Sequence, residues 1–409
     1  MGRFYFYMIK FLLFLCLGLV PVSTVYSQSN RKNQKNKKEF QSLLLEGTVE
    51  QFGSEISESH ITQKGGLIFI NVTIDGNQYT FIFDTGAMIT SISEEVAGTN
   101  TSDKEAIITD GFGNDSKKKI VKKNLELNGI IFKNISIAII DFSHIEKQVC
   151  LKIDGILGLN AINLLNWKID PEKSVISYST KPFTSNFNSA NFDIAFYSDI
   201  LPLVEVSIHN HKFWALIDFG FAGYLTISHD VLEKLQEVKK IDTRKGKGSL
   251  FLTVTSQPKD ENYLMNIDSL FINSHLYKEI KTIVASNKPA LGSKFFSSTV
   301  TILNFTEKKM HVEIEVRKTR SPIEELSVKF CLNTNNEITV CFLWDDTQLE
   351  RDGVTLGDKI ISINGEPIDK VNSTKWCQFR EQIAKGEELD VIIKSKSATN
   401  KYKYSQLKL

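Results

Sequence analysis

The chain has 409 residues, 42% of them hydrophobic, which is too long for one ordinary core and rich enough for two or three. Its 49 basic and 48 acidic residues leave a formal charge of +1, which excludes recognition of nucleic acid or an anionic membrane through a global field. The 5 cysteines contain no Cys-x-x-Cys pair, and neither they nor the 7 histidines show metal-ligand spacing, so no metal site is expected.

The N-terminus carries Arg3 and Lys10, an apolar run from Phe11 to Val20, and small residues before Gln28. This is the three-part layout of a secretory signal, with cleavage expected after Ser27. The run falls short of the ~20 residues a spanning helix needs, and Leu15 before Cys16 argues against a lipidation site. Residues 1–27 are therefore expected to be removed, leaving no membrane span and placing the mature chain in the periplasm, at the cell surface or in the medium of a bacterium. Residues 28–64 read as a leader, strongly polar at first with a basic stretch at 31–38. Cys150, Cys331, Cys341 and Cys377 remain after cleavage; a Cys331–Cys341 bridge and simple burial of the thiols both stay open.

From Gly66 the pattern changes to alternating β-branched and aromatic residues. The run 68–74, the turn Asp75-Gly76-Asn77 and the run 79–83 predict a hairpin. The design returns as 203–208, a His209-Asn210-His211 turn and 213–217. The first pair of strands ends in Asp84-Thr85-Gly86 and the second in Asp218-Phe219-Gly220, an offset of 218 − 84 = 134. Ile156-Leu157-Gly158 and Ala290-Leu291-Gly292 keep the same offset, 292 − 158 = 134, which indicates a duplicated β-rich half. Between these motifs, Val231, Leu232, Leu235 and Val238 after Ser228 predict one helix with a hydroxyl cap.

An Asp followed by a small residue and Gly at the end of an apolar strand puts a carboxylate in a tight, partly desolvated turn. Two such carboxylates brought within a few ångströms cannot both ionise, so they share a proton and supply an acid and a base together. In these residues the sequence resembles the aspartic peptidases, in particular the retropepsin-like branch. The stretch 81–87, ending Asp84-Thr85-Gly86-Ala87, matches that signature in full. The stretch 215–226 is similar to the second-copy form of bacterial relatives, with Phe219 in place of Thr. The resemblance spans roughly residues 65–315. It implies catalytic Asp84 and Asp218, loop support from Thr85, Gly86, Ala87, Phe219 and Gly220, no cofactor, and the two later Gly motifs packed beneath the catalytic loops. It also implies a Thr hydroxyl bonded across to the opposite loop, which Thr85 can supply and Phe219 cannot. Ala87 and Phe221 lack the hydroxyl that many secreted relatives place after the Gly, so the expected pH optimum is mildly acidic to neutral.

Two glycines flanking an aromatic ring, Gly111-Phe112-Gly113, suit the tip of a substrate-covering flap, although an ordinary surface hairpin would read the same. The stretch 246–251 occupies a comparable place in the second half. Past Pro322, the residues Gly353 to Ile368, with turns at Gly357-Asp358 and Asn364-Gly365, are similar to bacterial PDZ domains. Such domains add a peptide strand to a sheet edge. The family's Gly-rich carboxylate loop is not recognisable in 330–336, so peptide binding and structural support both stay open.

The expected fold is mainly β: a bilobal, aspartic-peptidase-like pair of β-barrels, with lobes at 65–182 and 183–316, followed by a small α/β PDZ-like domain at 322–409. The expected partners are a polypeptide substrate and a C-terminal peptide at the PDZ-like domain, with both carboxylates in one monomer. Two rivals stay open. One is a secreted scaffold that only binds peptides, and the other a homodimer pairing two Asp84 loops.

Overall fold

The computed structural model describes residues 40, 42–53, 55–99, 104–110, 114–185, 188–251, 261–285, 288–314, 326–395, 398–407 and 409. The expected signal sequence, the basic stretch after it, and the segment 315–325 between the expected second lobe and the expected PDZ-like domain lie outside the described residues. Residues 44–409 form one unit.

The chain is mainly β. It opens with β1 (Thr48–Gln51) and β2 (Ser57–Lys64), then the hairpin β3 (Leu67–Ile74) and β4 (Asn77–Phe83). Ile74 faces Asn77 across the turn, where Asp75 and Gly76 take φ of 51° and 79°. Positive φ at both positions is what a two-residue turn needs to match the twist of its strands. Next come β5 (Thr90–Ile92), α1 (Glu94–Ala97), β6 (Glu105–Thr109), β7 (Asp115–Leu127), β8 (Ile130–Ile139) and α2 (Ser143–Val149). The first half closes with β9 (Gly155–Leu157), α3 (Leu159–Ile162), β10 (Asn166–Asp170) and β11 (Val175–Ser179).

The stretch expected as a leader departs from that expectation. β1 pairs with β8, and β2 lies between β3 and β11. In β2 only Ser57 and Ile61 are buried, so its apolar alternation is too faint to announce a strand. Backbone pairing to stronger neighbours holds it.

The second half comprises β12 (Ser189–Asp193), β13 (Ala195–Tyr197), β14 (Leu201–Ile208), β15 (His211–Asp218), β16 (Leu225–Ile227) and α4 (His229–Val238). It continues through β17 (Arg244–Gly248), β18 (Asn262–Ile272), β19 (His275–Val284), β20 (Ala290–Gly292), α5 (Ser293–Phe296), β21 (Thr301–Asn304) and β22 (Lys309–Glu313). Helix α4 starts at Ser228, whose hydroxyl accepts the Val231 N–H at 3.4 Å. It buries Val231, Leu232 and Leu235 but leaves Val238 exposed.

Pairing registers in the two halves coincide. Ile74 faces Asn77 as Ile208 faces His211, and Phe83 pairs in parallel with Leu157 as Ile217 does with Leu291. Each position is 134 residues from its counterpart, for example 291 − 157. β5 and β16 likewise each run antiparallel to the Gly-containing strand and parallel to the long strand beyond it. The halves join edge to edge through β10 and β21, where Lys168 faces Ile302, again 302 − 168 = 134 apart. Equivalent positions facing each other across an antiparallel pair put a local two-fold axis there.

The C-terminal elements are β23 (Val328–Leu332), β24 (Ile338–Trp344), α6 (Gln348–Arg351), β25 (Lys359–Ile363), β26 (Glu366–Pro367), α7 (Ser373–Ala384), β27 (Asp390–Lys394) and β28 (Thr399–Lys403). They enclose a core of their own that includes Leu349, Trp376, Phe379 and Val391. The sheet of the second half continues into them, because β17 pairs with β18 on one edge and with β24 on the other.

Candidate active site

Asp84 follows directly on β4, and its N–H donates to Leu157 O on β9 at 3.1 Å. Asp218 is the last residue of β15, in register with Gly292 of β20. In each loop the carboxylate Oδ1 accepts two backbone N–H groups: Gly86 and Ala87 for Asp84, at 2.8 and 3.0 Å, and Gly220 and Phe221 for Asp218, at 2.9 and 3.0 Å. Each carboxyl group reaches the opposite loop, Asp218 against Gly86 and Asp84 against Gly220, so the two acids face each other across the junction.

Close approach explains both glycines of the loops. A Cβ on Gly86 would lie 2.5 Å from Asp218 Oδ2, and one on Gly220 would strike the Asp84 carboxyl group. The later glycines serve the same sites from below. A Cβ on Gly158 would lie 2.5 Å from the Ile89 carbonyl carbon, and one on Gly292 would lie 2.5 Å from Phe221 Cδ1. Leu159 N–H donates to Ala87 O and Ser293 N–H to Phe221 O, both at 2.8 Å, so the two Asp-bearing loops rest on their Gly motifs in the same way.

Thr85 is fully buried, and its hydroxyl spans the gap between the loops. It donates to Ile217 O at 2.6 Å and accepts from Phe219 N–H at 3.0 Å. Phe219 returns no hydroxyl, as its side chain dictates. Its ring is 1% exposed and fills space instead, 6.0 Å edge-on from Phe83 and 5.0 Å in a stack on Phe296. One side of the junction is polar and the other aromatic.

Burial pushes the Asp84 carboxyl above its ordinary range, against the pull of the two N–H donors. Burial and then the neighbouring Asp84 charge push Asp218 up to about 8. Two carboxyls this close resist ionising together, so between the loss of the first proton and the second they share one. An acid and a base therefore stand side by side.

The expected flap tip, Gly111, Phe112 and Gly113, lies outside the described residues. The strands that lead to it, β6 and β7, form a hairpin closed by Asp110 N–H to Asn114 O at 3.0 Å. In the second half, β17 and β18 pair in the comparable place, and the chain past Gly248 brings Phe251 within 6.0 Å of the Phe221 ring. Sequence reading missed that this segment is also tied to the C-terminal elements. Ser249 N–H donates to Cys341 O at 2.7 Å, and Lys329 Nζ to Leu250 O at 2.8 Å. No periodicity signals such a junction. Among the described residues, no group of three or more His, Cys, Asp or Glu side chains is placed to hold a metal.

The cysteines form two bridges, Cys331–Cys341 and Cys150–Cys377. The first joins neighbouring strands and was one of the two readings open from the sequence. The second spans 227 residues and had no signal at all.

A family model described as aspartyl protease matches residues 70–161. The match takes in Asp84-Thr85-Gly86 and Ile156-Leu157-Gly158, and supports a protease role for the chain. Asp218 falls beyond it. No curated protein matches the chain.

Proposed function

We propose that the chain is an aspartic endopeptidase whose two carboxyl groups, Asp84 and Asp218, activate one water between them. The observation that carries this reading is the close approach of two carboxyls presented by loops of the same register, each carboxyl lying against the glycine of the other loop. The ionised carboxylate takes a proton from water as its oxygen attacks the peptide carbonyl carbon, and the protonated partner donates to the carbonyl oxygen. The gem-diol then collapses: the C–N bond breaks, the nitrogen takes a proton from the dyad, and an acid and an amine leave. The chain's own residues suffice for this chemistry.

The repeated registers support two lobes derived by duplication, and the meeting of Asp84 with Asp218 of the same chain supports a monomeric site rather than paired Asp84 loops. The C-terminal elements support a PDZ-like domain, with β23, β24 and α7 around one core. The N-terminal sequence supports export from a bacterium. The raised pKa values favour a pH optimum from mildly acidic to neutral, because a dyad of low acidity still holds its one proton there.

Separate Asp84→Asn and Asp218→Asn variants, assayed on an unfolded polypeptide, test the reading. Each is expected to lose about 10²–10⁴-fold in rate, the usual contribution of a positioned acid or base. Full activity in Asp218→Asn would return the homodimer reading, and absence of cleavage by the unmutated chain at every pH would return the scaffold reading.

A further inference from the structure

The C-terminal core leaves one sheet edge outside its own pairing. β23 pairs with β24 alone among the described strands, and α7 packs over it, with the Phe330 and Phe379 rings 6.0 Å apart. A strand edge beside a helix is where a peptide adds to a sheet, through the N–H and C=O of alternate residues. The end of α2, from the first half of the chain, already sits there. Gln148, 4% exposed, donates from Nε2 to Leu332 O at 2.7 Å and accepts the Leu332 N–H on Oε1 at 3.3 Å. A primary amide carries the same C=O and N–H as a peptide unit, so this one side chain takes both edge bonds that an added strand would make at Leu332. From α7, Trp376 Nε1 donates to Lys147 O at 2.7 Å and Arg380 donates to Gln148 O. Cys150 packs on the C-terminal core and is bonded to Cys377 of α7.

We propose that the groove between β23 and α7 is a peptide-binding site whose ligand is this chain's own turn, Lys147 to Cys150, which closes it to peptides from outside. The C-terminal unit thereby becomes a clamp. It grips the Asp84-bearing half through this groove, and the Asp218-bearing half through the β17–β24 pairing. The inference rests on the PDZ-like reading of the C-terminal unit and is independent of hydrolysis by the dyad.

The test uses the full chain carrying Asp84→Asn, so that cleavage neither mimics nor masks binding, and a fluorescein-labelled peptide of residues 143–149. Anisotropy is expected to show no saturable binding to that chain, and saturable binding once Gln148→Ala and Cys150→Ser are added. Hydrogen exchange on the same proteins separates an opened groove from an unfolded unit. The Leu332 amide is expected to exchange at least tenfold faster in the opened variant, while amides inside β25 and β27 keep their protection. Equal binding by both proteins, no binding by an opened variant that is still folded, or an unchanged Leu332 amide would each overturn the proposal.

Discussion

At the position 134 residues beyond Thr85, the chain carries a ring instead of a hydroxyl. Thr85 makes the polar link alone, and Phe219 packs between Phe83 and Phe296. Restoring the hydroxyl with Phe219→Thr would therefore remove a buried aromatic ring and leave a void, at a cost of about 2–4 kcal/mol. That exceeds the ~1 kcal/mol of a neutral hydrogen bond. Urea unfolding is expected to show the loss, with no gain in peptidase rate. The sequence made Asp84, Asp218 and the missing hydroxyl legible, since each belongs to a short local motif. It could not show what the ring does, because Phe83, Phe219 and Phe296 are far apart along the chain and meet only through the fold.

Hairpins and the α4 helix were readable because turn residues and apolar spacing act within ten or so positions. The β2 strand was not, since seven of its eight residues are polar or charged. The β17–β24 junction escaped for another reason. Its key residue is Gly246, which lets two strands from different parts of the chain come close: a Cβ there would lie 2.5 Å from Trp344 Cε3 and also strike the Phe342 ring. Gly246→Val is expected to part β17 from β24 at a cost of about 1–3 kcal/mol, as overpacking does. The change would show as faster hydrogen exchange at Lys247 and at Ser249, whose N–H reaches across to Cys341 O.

Over the whole molecule, two halves meet at β10 and β21, and the C-terminal unit bridges them. That arrangement rests on contacts from 342 − 248 = 94 residues apart, in the β17–β24 pairing, to 227 apart, in the Cys150–Cys377 bridge, which composition and periodicity do not encode. The dyad at its centre has a consequence for stability that follows from the direction of its pKa shifts. Asp218 is raised from an ordinary value of 3.8 to about 8, chiefly by burial, and Asp84 is raised as well. As pH climbs above 3.8, the unfolded chain gives up protons that the folded dyad retains. The unfolded state then binds fewer protons than the native one, and stability falls with rising pH. The decline begins near the unfolded value and runs until pH passes the folded one, about 8 for Asp218. Asp218→Asn removes that charge, so its thermal midpoint is expected to match the unmutated chain near pH 4 and exceed it by roughly 2–4 °C at pH 8. Calorimetry across that range checks it: an asparagine variant no more stable than the parent at pH 8 would mean that the pair is not held apart from water as its burial implies. The same substitution is expected to slow the proposed reaction by about 10²–10⁴-fold, so the chain would retain a buried carboxyl that destabilises it at high pH because the chemistry needs that carboxyl.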